Sequence, residues 1–212
     1  MLVTMENSVE MTWDRILCMV AGVDTMVWQT GEATAQHVER IELARLEMLG
    51  WGGMIEVVRP DSGQRTVETI VSRALAFGAD TLLIDQLTFL ELPDPRKPKT
   101  ERIGEALHTL KSLISSGRRP MSCLMAHQIN REGVKMADRV GHLEMFHLAD
   151  SAEIERTADW VFGMYASRDD KIAGMAKMQI LASRRAPTEQ WLINWHPYVG
   201  NVRVRSTFAL AS

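Results

Sequence analysis

The sequence predicts an α/β fold, with a mainly parallel β-sheet flanked by helices and antiparallel strands at the C-terminal end. Three observations carry this expectation. Short apolar runs alternate with longer segments whose apolar residues recur every three to four positions, the pattern of strands joined through helices. The run Asp80-Thr81-Leu82-Leu83-Ile84-Asp85-Gln86-Leu87-Thr88-Phe89-Leu90 lies between Gly78 and the Pro93 and Pro95 breakers, and reads as a strand buried on both faces that ends on Asp85. The last third holds alternating stretches at Ala176 to Leu181, Gln190 to Trp195 and Val202 to Val204, joined by turns, which read as antiparallel.

Composition bounds the rest. With 212 residues, 46% of them hydrophobic, the chain can bury one sizeable core, and the expectation is a single domain over residues 1–212. A formal charge of −3 argues against wholesale coating of nucleic acid and leaves room for local basic loops. No window approaches the roughly 18 consecutive apolar residues of a membrane span, and Met1 to Glu6 lacks a basic segment followed by an apolar one, so a cytoplasmic protein with no membrane partner is expected. Cys18 and Cys123 are far apart, each in an apolar stretch, and read as buried reduced thiols.

Leu2 to Met5 is the first strand, and it begins almost at the first residue. Termini fray unless a neighbour pins them, so an upstream partner element is expected to be missing from the chain. Glu6 follows at the strand's carboxyl end, as Asp85 does at its own. Two carboxylates there could divide metal binding and a base role, or Glu6 could simply favour a helix N-terminus. Ser8 is placed to cap a helix whose face is Trp13, Ile16, Leu17 and Val20, with Gly22 as its stop.

Asp24 to Leu49 is helical with a break at Thr30-Gly31, and its second half carries Val38, Ile41, Met48 and Leu49 on one face. Gly50, Gly52 and Gly53 close it, and Met54 to Val58 is the next strand. The turn from Arg59 to Thr66 is not a phosphate-binding loop. Its Gly63 precedes Gln64 and Arg65, where such a loop needs Gly-Lys-Ser/Thr so that lysine and hydroxyl reach phosphate and magnesium. Thr66 instead caps a helix with Val67, Ile70, Val71, Ala74 and Leu75 inward.

After the Asp85 strand comes a loop with Arg96, Lys97 and Lys99. A helix follows, with Ile103, Leu107, Leu110, Leu113 and Ile114 inward, ended by Ser115-Ser116-Gly117. Met121 to Ala126 is a further buried strand, and strand, helix, strand in this order implies parallel neighbours. Gln128 and Arg131 then fall on the same sheet edge as Asp85, the edge where open α/β sheets bind ligands. Gly133 to Ala149 carries Lys135, Arg139, His142 and His147 without a clear period, and is expected as a long loop. Ser151 to Thr157 reads as a short helix and Ala158 to Tyr165 as a strand. The Arg184-Arg185-Ala186-Pro187 turn separates the first two antiparallel stretches.

Assembled in order, these segments resemble the C-terminal RecA-like motor domain of replicative DNA helicases of the DnaB type. Thr4-Met5-Glu6 resembles the strand that ends on that family's catalytic Glu. Leu83-Ile84-Asp85-Gln86-Leu87 resembles its Walker B strand, and His127-Gln128-Ile129-Asn130-Arg131 its Gln-x-Asn-Arg segment. Leu148 to Asp159 is similar to the Ser-Gly-x-Ile-Glu-x-x-Ala-Asp run, and Arg184 to Thr188 to the Lys-x-Arg-Asn-Gly-Pro turn. The resemblance spans essentially the whole chain. It also has gaps. Members carry a strand, a Walker A loop and a helix ahead of the strand that begins this chain, and no Gly-x-x-x-x-Gly-Lys-Ser/Thr occurs in these residues. Ala182 stands at the family's lysine position, so Arg184 alone remains of the turn's cation pair, and Gln86 replaces an aromatic residue.

The resemblance implies ATP and Mg2+ as cofactors. It gives Asp85 to the metal and the nucleotide, Glu6 to the attacking water, Gln128 to sensing the γ-phosphate, and Arg184 to a neighbouring subunit's nucleotide. It implies single-stranded DNA as partner, contacted by Lys99, Arg131, Lys135 and Arg139. It further implies a homo-hexamer, or a hetero-oligomer with a Walker A-bearing subunit. Phosphoryl transfer to water is mostly positioning and charge stabilisation, so a chain without the phosphate loop is expected to be a poor ATPase alone. A RecA-like recombination or regulatory ATPase, and a non-catalytic or assisting RecA-like subunit, remain as alternatives. The Gln128 to Arg131 segment favours the helicase; the missing phosphate loop favours the assisting subunit.

Overall fold

The computed structural model describes residues 1–116, 120–148, 151–196, 198–199 and 201–208, with backbone alone for 151 and 201–208. Its first half is built on a parallel sheet of four strands: β1 (Leu2–Thr4), β2 (Val57–Val58), β3 (Thr81–Asp85) and β4 (Ser122–Met125), in the order β2-β1-β3-β4. Its second half is an antiparallel meander of β5 (Trp160–Tyr165), β6 (Met175–Ser183), β7 (Gln190–His196) and β8 (Asn201–Phe208). The expected α/β class, with parallel strands first and antiparallel strands last, is what the chain adopts.

The helices are α1 (Val9–Ala21), α2 (Thr25–Gln29), α3 (Ala35–Leu49), α4 (Val67–Phe77), α5 (Lys99–Ser116), α6 (Arg131–Val140), α7 (Ser151–Thr157) and α8 (Arg168–Ile172). Their ends follow local chemistry. Ser8 accepts the Met11 N–H at 3.1 Å and Thr66 the Thr69 N–H at 3.3 Å, while Gly22 and Gly78 close α1 and α4 in the left-handed region that glycine enters at no steric cost. Thr30 ends α2 and Gly31 turns at φ 77°, the expected break. The expected stop at Gly117 lies outside the described residues.

The main core lies between one sheet face and α4 and α5. Val3, Leu82 and Ile84 meet Ile70, Val71 and Ala74 from α4 and Ile103, Ala106 and Leu110 from α5. Leu82 and Val3 are 0% exposed, and burying each such side chain contributes about 1.5–3 kcal/mol. A second, smaller cluster of Cys18, Val23 and Ile41, with Leu17, Ala21 and Trp28 around it, joins α1, α2 and α3.

Several expectations are corrected. The sheet is not buried on both faces: Leu124 in β4 is 62% exposed, and β3 reads exposed, buried, half-buried, buried, half-buried. The strand expected over Met54 to Val58 shrinks to Val57–Val58, because only those two residues reach β1, while Met54 is 78% exposed. On α3 the buried residues are Ile41 and Ala44, and Leu49 and Val38 point to solvent. The small Ala44 lets α3 approach α1 more closely than a larger residue would. On α4, Leu75 is exposed.

The stretch from Gly133 to Ala149 is not a structureless loop. Asn130 caps α6, accepting the Gly133 N–H at 2.6 Å, and Gly141 ends it at φ 79°. A 3-10 turn, Met145–His147, follows. This helix packs through Gly133 and Ala137, and a Cβ on Gly133 would sit 2.6 Å from the His147 carbonyl. Small residues at the buried i and i+4 positions leave no large apolar period to read.

Candidate functional site

Parallel pairing with no stagger brings three strand ends to one edge. Thr4 pairs with Asp85 across β1 and β3, and Ile84 with Met125 across β3 and β4. Beyond the last pairs the backbone stays stitched: the Met5 N–H donates to the Asp85 carbonyl at 3.1 Å, Ala126 to Ile84 at 2.9 Å, and Leu87 to Ala126 at 3.1 Å. Glu6, Asp85 and Gln128 therefore leave the sheet side by side, at the edge where α/β sheets present ligand-binding groups.

Each is held by local structure. Thr4, 1% exposed, closes the turn under Glu6, its hydroxyl donating to the Asn7 carbonyl at 3.2 Å and accepting the Asn7 N–H at 3.3 Å. Ser8 then starts α1, so Glu6 stands exposed between a strand end and a helix start. Asp85 is half-buried, and Gln86 behind it is 4% exposed, the apolar strand turning in towards the core through Leu87. Gln128 is exposed, on the segment between β4 and α6. That segment is pinned by an isolated antiparallel bridge from Ile129 to Leu148 and by the Asn130 N–H donating to the His147 carbonyl at 3.1 Å.

A magnesium ion binds nucleoside triphosphates through one or two carboxylates, several waters and the phosphates themselves, not through a protein cage. A single half-buried carboxylate at a strand end suits that role. Among the described residues no cluster of three or more His, Cys, Asp or Glu side chains is built to hold a metal alone.

The cationic residues divide. Arg131, Lys135 and Arg139 occupy one stripe of α6 at i, i+4 and i+8, exposed, and Lys135 pairs with Glu132 at 3.1 Å. Lys99 is exposed at the first position of α5, away from that stripe in sequence. Arg184 lies in the β6–β7 turn, and the described contacts tie it to its own chain. Its Nε donates to the Ala158 carbonyl at 3.2 Å, its Nη2 donates to the Arg156 carbonyl, and its backbone N–H donates to the Asp159 carbonyl at 3.2 Å. It is not joined to Glu6, Asp85 or Gln128 by any described contact. The segment preceding it, Leu148 to Asp159, includes Ala149 and Asp150, which lie outside the described residues.

Two groups escape sequence reasoning. Lys111 donates to the Asp159 carboxylate at 2.8 Å and to the Thr157 carbonyl at 2.7 Å. Its hydrogen bond and charge, with Arg184 and Arg185 nearby, hold the Asp159 carboxyl below the usual aspartate range. The 48 residues between these partners leave no sequence signal. Tyr165 donates to Asp138 at 2.6 Å, and burial with that carboxylate pushes its hydroxyl up to about 12.

Comparison with known proteins follows from this geometry. The sequence matches the family described as "DnaB-like helicase C terminal domain" over residues 1–202. No curated protein matches. Among solved structures, an isolated ATPase domain superposes with a TM-score of 0.81 at 17% identity, covering 95% of this chain and 72% of that one. A DnaB-like replicative helicase, solved in a study of its interactions with primase, superposes with a TM-score of 0.79 at 16% identity, covering 95% of this chain. This chain spans 49% of that protein's length. No described helix is long and apolar enough to cross a membrane.

Proposed function

The chain belongs to the DnaB-like helicase C-terminal domain family, and from that premise we propose that it is a single helicase motor domain that translocates on single-stranded DNA by ATP hydrolysis and supplies the hydrolytic side of the nucleotide site. The observation that carries this reading is the shared edge on which Glu6, Asp85 and Gln128 follow three adjacent parallel strands. Asp85 holds Mg2+ through water, and the ion neutralises developing charge on the phosphates when bound. Glu6 orients or deprotonates the attacking water. Gln128 hydrogen-bonds the γ-phosphate, and the pinned 128–131 segment carries that contact to α6. The α6 stripe of Arg131, Lys135 and Arg139, with Lys99, tracks DNA phosphates without reading bases. Arg184 acts on a neighbour's nucleotide in a homo-hexamer or mixed ring, exchanging its carbonyl partners for phosphate. A cytoplasmic setting fits this role.

The phosphate cradle is not among these 212 residues, since no Walker A sequence occurs in them. A strand, loop and helix bearing it must come from outside them for full activity. The same observation favours a second reading, a subunit that assists or blocks intact neighbours without turning over ATP itself.

The test is DNA-stimulated ATP hydrolysis by the chain alone and co-expressed with a strand–loop–helix segment bearing a Walker A sequence. Hydrolysis in the complex alone is the expected result, with Glu6→Gln lowering it by about 10²–10⁴-fold, the usual worth of a general base. Equal hydrolysis with and without the segment, or none in either sample, contradicts the reading.

A further inference from the structure

Strand β5 is the outer edge of the antiparallel sheet: among the described residues it pairs with β6 and with no strand on its other side. Its six residues, Trp160-Val161-Phe162-Gly163-Met164-Tyr165, contain no charge and no proline. Natural edge strands are usually blunted by such residues, by a bulge in the edge strand, or by a covering element. Here the one irregularity in the β5–β6 pairing places the extra residue, Leu181, on β6, so the edge strand is uninterrupted.

One face of β5 is already used. Val161 and Tyr165 are buried, and Tyr165 joins Ala137 and Leu143 under α6. The other face presents Trp160 at 42%, Phe162 at 45% and Met164 at 45% exposure, with the Trp160 and Phe162 rings stacked at 5.9 Å and 1°. An open edge and an apolar stripe thus coincide on the same six residues.

We propose that β5 pairs antiparallel with β5 of a second copy of this chain, about a two-fold axis through Phe162. A second copy fits because a two-fold interface must be self-complementary. Centring the axis on Phe162 sets Phe162 against Phe162 and Trp160 against Met164 of the partner, all on the exposed face. Aromatic and large apolar cross-strand pairs are the stabilising kind. No like charges meet, because β5 carries none. The opposite edge is less suited: β8 carries Arg203 and Arg205, which a two-fold pairing would bring together. The β4 edge is four residues long against six in β5. This surface is independent of the nucleotide reading.

Sedimentation equilibrium of the full 212-residue chain between about 1 and 100 µM tests it, a span that covers binding free energies around that of a micromolar complex. The native chain is expected to shift from monomer to dimer across that range. Phe162→Lys and Phe162→Glu are each expected to stay monomeric at the top concentration, since each sets like charges face to face. Mixed in equal amounts they should dimerise again, which misfolded variants could not do. A native chain that remains monomeric, a Phe162→Lys chain that still dimerises, or a mixture that stays monomeric overturns the proposal.

Discussion

The Arg184 guanidinium lies 3.8 Å from the Asp159 carboxylate while donating to the carbonyls at the end of α7, so the residue that resembles a trans-acting arginine caps a helix of its own subunit. Cationic side chains suit that end because the last carbonyls of a helix lack partners. Any action on a neighbour competes with this arrangement.

Replacing Arg184 with Ala removes two charge-assisted bonds, each of a kind worth about 1.5–3 kcal/mol when buried. Its side chain is 52% exposed, so solvent screening reduces the total. A loss of about 1 kcal/mol is expected, read as a Tm lower by about 2–4 °C for a chain of this size. An unchanged Tm would mean that the cap contributes nothing.

The Asp159 node should depend on pH in a fixed direction. Its carboxyl titrates below the usual aspartate value, through Lys111 first. The stabilisation is therefore complete above the unfolded value near 3.9 and disappears as pH falls through the lower, folded one. Urea unfolding of Asp159→Asn should differ from the native chain by up to about 1 kcal/mol at pH 7 and converge with it near pH 3. A gap that widened on acidification would contradict the assignment.

Two leucines on adjacent strands should respond oppositely. Leu82 is 0% exposed and Leu124 is 62% exposed. Leu82→Ala should cost about 2–5 kcal/mol, and Leu124→Ala no more than about 0.5 kcal/mol. Chemical denaturation of both variants tests the one-sided burial of the parallel sheet.

Much of this sheet was legible in the sequence. The Asp85 strand, the caps at Ser8 and Thr66 and the stops at Gly22 and Gly78 announce themselves through residue types whose backbone or hydrogen-bonding chemistry is local. The α6 helix was not legible, because Gly133 and Ala137 carry its packing and the Asn130 cap stood inside a segment read as a site motif. The burial of β3 and β4 on one face rather than two was hidden as well, since an apolar run does not say which of its faces is covered. The edge bearing Glu6, Asp85 and Gln128 could be anticipated from strand order. The anchoring of Arg184 by Lys111, Asp159 and α7 could not, because it joins residues distant in sequence.

The α6 cap offers a further check. Asn130→Ala removes the side-chain acceptor at the N-terminus and should cost about 1 kcal/mol. Gly133→Ala places a Cβ 2.6 Å from the His147 carbonyl and should cost more, because backbone must move. Hydrogen exchange across residues 131–140 should rise in both variants, more in Gly133→Ala. The reverse order would place the weight of this segment on its cap rather than on close packing.

The central claim is that these residues hold the water- and metal-handling side of a helicase site without its phosphate cradle. Titration of the purified chain with a fluorescent ATP analogue and Mg2+ tests it most directly. No saturable binding below about 1 mM, the level of roughly −4 kcal/mol, is the predicted result. Saturable micromolar binding that is lost in Asp85→Ala would contradict the account, because it would place a complete phosphate cradle within these 212 residues.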